Sequence, residues 1–187
     1  MPYIDVISYE RSEGELREIY DDLIESRGKL AEVHQIQSLN PKSITNHMDL
    51  YMTIMFGKSP LKRWQREMIA VVVSKSNDCE YCQQHHGSAL LHYWKDESRV
   101  EQLKLDFNKV EDLSDLDRAL CFYAQSLTLN PSKIDKNVHI NKLKDLGLED
   151  RAILDAALVT AYFNFVNRLV LGLGVHLEEH QGAGFKY

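Results

Sequence analysis

Apolar positions along the chain recur at helical spacing in one segment after another. Between Glu13 and Arg27, Leu16, Ile19, Tyr20, Leu23 and Ile24 fall at offsets of three, four and seven, the signature of an amphipathic helix. Gly28 supplies its stop. Asn40-Pro41 opens a second helix, with proline at the first helical position, running through Ile44, His47, Met48, Tyr51 and Met55 to Gly57. A third follows Ser59-Pro60 to about Ser74. Its Val71-Val72-Val73 run has β character, but the preceding pattern is helical and no alternating strand partner follows. Asn77 and Asp78 start a fourth helix through Cys79, Cys82, His86, Leu90 and Tyr93, with Asn77 and Glu80 spaced as a capping box. Helices also fit Glu97 to Asp106, Ser114 to Leu129 and Lys136 to Asp145. The last long pattern, Glu149 to Gly172, is apolar on most sides, which marks a helix central to a core or to a subunit interface. The pattern predicts an all-α helical bundle.

Composition narrows the setting. A chain of 187 residues is expected to form a single domain, here with an N-terminal helical extension over about residues 1–40. Its formal net charge of −6 argues against a nucleic-acid partner, because phosphate contacts need clustered Lys and Arg. The uninterrupted apolar run Ile69 to Val73 falls far short of the ~20 residues of a membrane-spanning helix. The N-terminus lacks a basic region followed by an apolar stretch. The expectation is a cytoplasmic protein without a membrane or nucleic-acid partner.

In a reducing compartment the 3 cysteines, Cys79, Cys82 and Cys121, do not form a disulfide scaffold. Two of them form a pair. On a helix, positions 79, 82 and 86 are separated by three and four and share one face, so two thiols and an imidazole meet. Both cysteines fall in the first turns, where unpaired N–H groups and the positive dipole end favour a thiolate. His86 is placed to act as a proton shuttle. Glu67 lies on the preceding helix at the edge of its apolar stretch, where burial would raise its pKa and fit it to relay protons. Three readings stay open on these residues: a dithiol/disulfide centre, a zinc site of Cys79, Cys82, His86 and Glu67 or His85, and two small thiols filling core space. Against zinc, no second Cys or His pair follows at the usual spacing.

The block Glu67, then Cys79-Glu80-Tyr81-Cys82, then His86 resembles the catalytic signature of the alkylhydroperoxidase D and carboxymuconolactone decarboxylase superfamily. Gly57-Lys58-Ser59-Pro60-Leu61 and Ala161-Tyr162-Phe163-Asn164-Phe165-Val166-Asn167-Arg168 are similar to its uncharacterised peroxidase-related branch. The resemblance implies an alkylhydroperoxidase-like bundle and a thiol-dependent peroxidase. Cys82 would be the attacking thiolate, Cys79 the proton donor and resolving thiol, and His86 with Glu67 the proton relay. No cofactor or metal is implied. The implied partners are a hydroperoxide substrate, a lipoyl-bearing or thioredoxin-like dithiol reductant, and further copies of the chain in a dimer or hexamer. Helix-dipole physics instead favours Cys79 as the low-pKa thiol. Tyr81 stands where some members carry His, and a phenol with a pKa of about 10 is a poor proton shuttle at neutral pH. The alternatives are a carboxymuconolactone decarboxylase-like lactone enzyme, or a zinc-stabilised or small-molecule-binding protein without turnover.

The remaining candidates read more plainly. Cys121 shares a helical face with Leu120 and Tyr123 and reads as an inert core thiol. His85 points about 100° away from His86 on the helix and reads as a surface or interface residue. His34, His92 and His139 read as ordinary polar positions. Asn164, Asn167 and Arg168 interrupt an apolar helix, either as interhelical hydrogen-bonding groups or as a lining near the thiols, with Arg168 anchoring Glu67. His176 and His180, four apart, form a weak metal pair in a tail that reads as folding over a neighbouring subunit.

Overall fold

A computed structural model describes residues 1–177, and no strand occurs among them. The described residues bear out the all-α reading. The helices are α1 (Gly14–Arg27), α2 (Glu32–Gln35), α3 (Pro41–Tyr51), α4 (Arg63–Ser76), α5 (Glu80–Trp94), α6 (Glu97–Leu105), α7 (Asp115–Leu129), α8 (Lys142–Asp145) and α9 (Asp150–Leu173).

α4 is the central element. Gln65 to Ser74 are buried without interruption, because α5, α7 and α9 pack around the helix. Burial on every side explains the valine run that gave the sequence its β character: packing, not propensity, decides this segment. A smaller cluster joins α1 to α3 through Leu16, Tyr20, Leu23 and Ile44.

α3 begins at Pro41 as its sequence predicts, but continues past Tyr51 as a π-turn, Met52–Phe56. The turn ends at Gly57, where an added Cβ would stand 2.3 Å from the Thr53 carbonyl oxygen. Only glycine fits there. Arg66, reaching from α4, donates to the Ile54 and Gly57 carbonyls at 3.0 and 3.1 Å. It thereby satisfies acceptors that regular helix would have paired internally.

α9 buries one side against α4 and α7. Its outward side carries the exposed Leu154, Leu158 and Phe165 at helical spacing. By length and composition alone this helix, with a mean hydropathy of 1.4 over its most apolar window, is apolar enough to cross a membrane. Thr160, Asn164, Asn167 and Arg168 break its apolar run yet leave that average high, and its packing against α4 and α7 makes it a core helix of this bundle.

Candidate active site

The site is built at the hairpin between α4 and α5. Asp78 turns the chain with a left-handed backbone, φ 52°, and the Cys79 N–H donates to the Ser74 carbonyl at 2.8 Å. Cys79 is the N-cap of α5, with φ −87° and ψ 91°, and Cys82 lies in the first turn. The expected capping box of Asn77 and Glu80 does not form. The helix starts at Glu80, and Asn77 Nδ2 donates instead to Asn164 Oδ1 and Asn167 Oδ1 of α9 at 3.1 and 2.9 Å.

The same hairpin brings Glu67 to His86. Glu67 is fully buried, and its Oε2 lies 2.6 Å from His86 Nδ1. Its other oxygen pairs with Arg63, one turn earlier on α4. Burial pushes the Glu67 pKa up, but attraction and hydrogen bonding from His86 and then Arg63 outweigh it and hold the carboxyl below its ordinary value. This corrects the expected upward shift, which counted the apolar surroundings and not the two basic side chains. The shift favours the carboxylate form of Glu67, which holds the His86 ring through Nδ1 and leaves Nε2 clear of that bond. The ring is set edge-on to Phe163, centroids 4.4 Å apart. Arg168 does not anchor Glu67. It donates to Asn164 O and Oδ1, both at 2.8 Å.

The thiols are free and buried. The Cys82 side chain hydrogen-bonds Cys79, and this bond is the largest influence lowering the Cys79 pKa. Burial opposes it, while the Cys82 backbone N–H and Asn167 add to it. Cys82, as donor in that bond, buried and facing the Cys79 charge, is pushed well above the ordinary thiol range. Of the two thiols, Cys79 therefore gives up its proton the more readily. Asn167 is fully buried behind both sulfurs, and its Nδ2 donates to Ser74 Oγ at 3.2 Å. Asn164 donates to Thr128 Oγ1 at 3.0 Å. Thus Asn167 serves the thiols and Asn164 the helix packing. Cys121 is fully buried in the core, its pKa pushed far up by burial and by Asp117, as an inert thiol should be.

Access runs opposite to acidity. A cavity of about 600 Å³, counting its open mouth, is lined by Cys82 and His86 but not by Cys79. His85, read as a surface residue, lines it too, its ring 4.4 Å from Tyr81. The Tyr81 hydroxyl accepts the Val33 N–H at 3.4 Å, tying α5 to α2. His34, read as an ordinary polar position, lies 5.5 Å from the His47 ring. His47 contacts the Tyr162 hydroxyl through Nε2 at 2.6 Å and Gln37 Nε2 through Nδ1 at 2.8 Å. Sequence reasoning passed over Arg27, Gln37, His47 and Tyr162. The available signal was His47 itself, a histidine in the apolar stripe of α3.

Among the described residues no three His, Cys, Asp or Glu side chains group as a metal would require. His176 Nε2 lies 2.7 Å from the N-terminal nitrogen, and His180 and the rest of the tail lie outside the described residues.

Comparison with known proteins bears on the fold and on one segment of the chain. Residues 44–104 match the carboxymuconolactone decarboxylase family. The fold is similar to the alkylhydroperoxidase AhpD core of a peroxidase-related protein from Ralstonia eutropha JMP134, with TM-score 0.86 and 22% identity over 97% of this chain and 94% of that one. It is also similar to a peroxidase-related protein from Silicibacter sp. TM1040, with TM-score 0.82 and 28% identity over 99% and 93%. Sestrin-1 of Xenopus laevis is 17% identical over 190 residues, covering 100% of this chain, which spans 38% of that protein's length. The family match thus covers the segment that holds Glu67, Cys79, Cys82 and His86, and the fold of the chain as a whole is similar to that of alkylhydroperoxidase-like, peroxidase-related proteins.

Proposed function

We propose that the protein is a thiol-dependent peroxidase in which Cys82 is oxidised by a hydroperoxide and Cys79 resolves the product. The observation that carries this reading is the cavity wall. Cys82 and His86 line it together, and Cys79 stands behind Cys82, bonded to its thiol. An incoming peroxide meets Cys82 first, although Cys79 is the more readily deprotonated thiol.

The chemistry follows from that placement. His86, oriented by Glu67, takes the Cys82 proton. The Cys82 sulfur attacks the terminal peroxide oxygen, the O–O bond breaks, and the departing alkoxide takes the proton back as an alcohol. Cys82 is now a sulfenic acid. Cys79 gives its proton to His86 and attacks the Cys82 sulfur, the S–O bond breaks, and the departing hydroxide takes that proton to leave as water. The resulting disulfide is reset by an external dithiol, lipoyl-bearing or thioredoxin-like, which supplies two electrons and two protons.

Mass spectrometry after stoichiometric peroxide tests the reading, with a Cys79–Cys82 disulfide as the expected product. In Cys79→Ser a sulfenic acid should be trapped on Cys82, and Cys82→Ser should not turn over. Turnover retained by Cys82→Ser and lost by Cys79→Ser would reverse the assignment.

The match of residues 44–104 supports a second reading, a decarboxylase-like lactone enzyme that uses Glu67 and His86 as its acid–base pair. Lactone turnover surviving in the double cysteine variant would favour it.

A further inference from the structure

The space in front of Cys82 has an enclosed part of about 80 Å³ and opens through a wide mouth to solvent, so a ligand longer than hydrogen peroxide can extend from Cys82 along its wall. Its wall is mostly apolar and aromatic, with Val33, Met48, Tyr51, Phe163 and Val166 prominent. Among the lining residues Arg27 alone carries a permanent charge, and no carboxylate lines the cavity. The Arg27 guanidinium lies over Tyr51 and Phe56, 5.6 and 5.3 Å from the ring centroids. Tyr51 in turn neighbours Tyr162, at 5.8 Å between centroids. Arg27 and Tyr162 thus flank one aromatic wall.

The Tyr162 hydroxyl has a fixed polarity. Gln37 Nε2 lies 2.8 Å from the Val33 carbonyl oxygen, so that atom must be the nitrogen, and it donates to His47 Nδ1 as well. His47 is neutral, its pKa lowered by burial to about 4. With Nδ1 accepting, its proton is on Nε2 and is donated to the Tyr162 oxygen. The Tyr162 O–H is then left to donate toward the cavity. Cys82 is close enough to influence the Tyr162 hydroxyl electrostatically.

We propose that the substrate is the hydroperoxide of an apolar organic acid, its carboxylate at Arg27, its body along the aromatic wall and its reacting oxygens between Cys82 and the Tyr162 hydroxyl. The reacting group rests on the peroxidase reading above. The carboxylate site does not.

Calorimetric titration of the reduced full-length chain with two non-reactive probes, octanoate and 1-octanol, separates the two claims. Octanoate should bind at least about tenfold more tightly, the scale of one charge-assisted contact. Arg27→Gln should abolish that advantage and leave 1-octanol affinity unchanged, and Arg27→Lys should restore part of it. Equal affinity for the two probes, or octanoate binding indifferent to Arg27→Gln, overturns the proposal. Turnover of a fatty-acid hydroperoxide should then show a KM raised in Arg27→Gln by a larger factor than the KM for hydrogen peroxide, and equal factors for the two would count against the carboxylate site. An octanoate preference in a protein that reduces no peroxide would leave the site standing and remove the peroxidase reading.

Discussion

His86 Nδ1 and Glu67 Oε2 lie 2.6 Å apart, joining residues 19 positions apart on two helices and orienting the one imidazole that shares a helical face with both thiols. If Glu67 orients rather than transfers, Glu67→Gln should lower peroxidase turnover by about the 10²–10⁴-fold that a misaligned general base costs. Steady-state rates with a saturating reductant would check this. An unchanged rate would show that His86 needs no partner. The same variant has a pH signature. The folded carboxyl is held below its ordinary value of 4.5. Its contribution to stability is therefore complete above that value and is lost as pH falls toward the folded pKa. Denaturant titrations should show wild type losing more stability than Glu67→Gln below about pH 4.5.

Cys79 owes its lowered pKa first to the Cys82 thiol. Cys82→Ala should therefore raise the Cys79 pKa toward the ordinary thiol value of 9.0, and ultraviolet thiolate absorbance against pH would follow it. Asn167→Leu should raise it as well, through loss of the side-chain hydrogen bond. By removing one of the two acceptors of Asn77 and the amide that donates to Ser74, it should also cost about 1–3 kcal/mol in stability. A Cys79 titration insensitive to Cys82→Ala would assign the shift to the helix N-terminus alone.

Local chemistry was legible in the chain, and long-range polar pairing was not. The spacing of Cys79, Cys82 and His86 predicts a shared face whatever the rest of the fold does. Burial of Glu67 was likewise readable from the apolar run that follows it. Its partner Arg63, four residues earlier, was equally in view, yet a pattern weighing apolar positions assigns it no role. Gln37, His47 and Tyr162 meet across separations of 10 and 115 residues, and no periodicity encodes such a meeting. The cavity and its cation belong to the same class, because they arise from how α1, α3 and α9 pack against α5.

His47 supplies a separate pH test. Its pKa falls from 6.5 to about 4 because the folded chain buries it neutral. The unfolded chain takes up a proton that the folded chain refuses. This stability contribution is therefore full above about pH 6.5 and is lost as pH falls toward 4, about 3 kcal/mol over the window. His47→Phe should lower stability at pH 7 by removing two hydrogen bonds, yet flatten the slope between these limits. Chemical denaturation at a series of pH values separates this from Glu67, whose effect is confined below 4.5.

The π-turn before α4 offers a mechanical test. A Cβ at Gly57 would stand 2.3 Å from the Thr53 carbonyl, and a backbone atom cannot swing aside as a side-chain tip can. Gly57→Ala should then destabilise by about 1–3 kcal/mol, as overpacking does. Arg66→Met keeps the packing of the stem but leaves the Ile54 and Gly57 carbonyls unpaired, and should cost a similar amount. Because Gly57 and Arg66 serve the same turn, the double variant should cost less than the sum of the singles, the mark of a shared structure. Strict additivity in denaturant midpoints would show that the turn survives Gly57→Ala unchanged and that Arg66 stabilises something else.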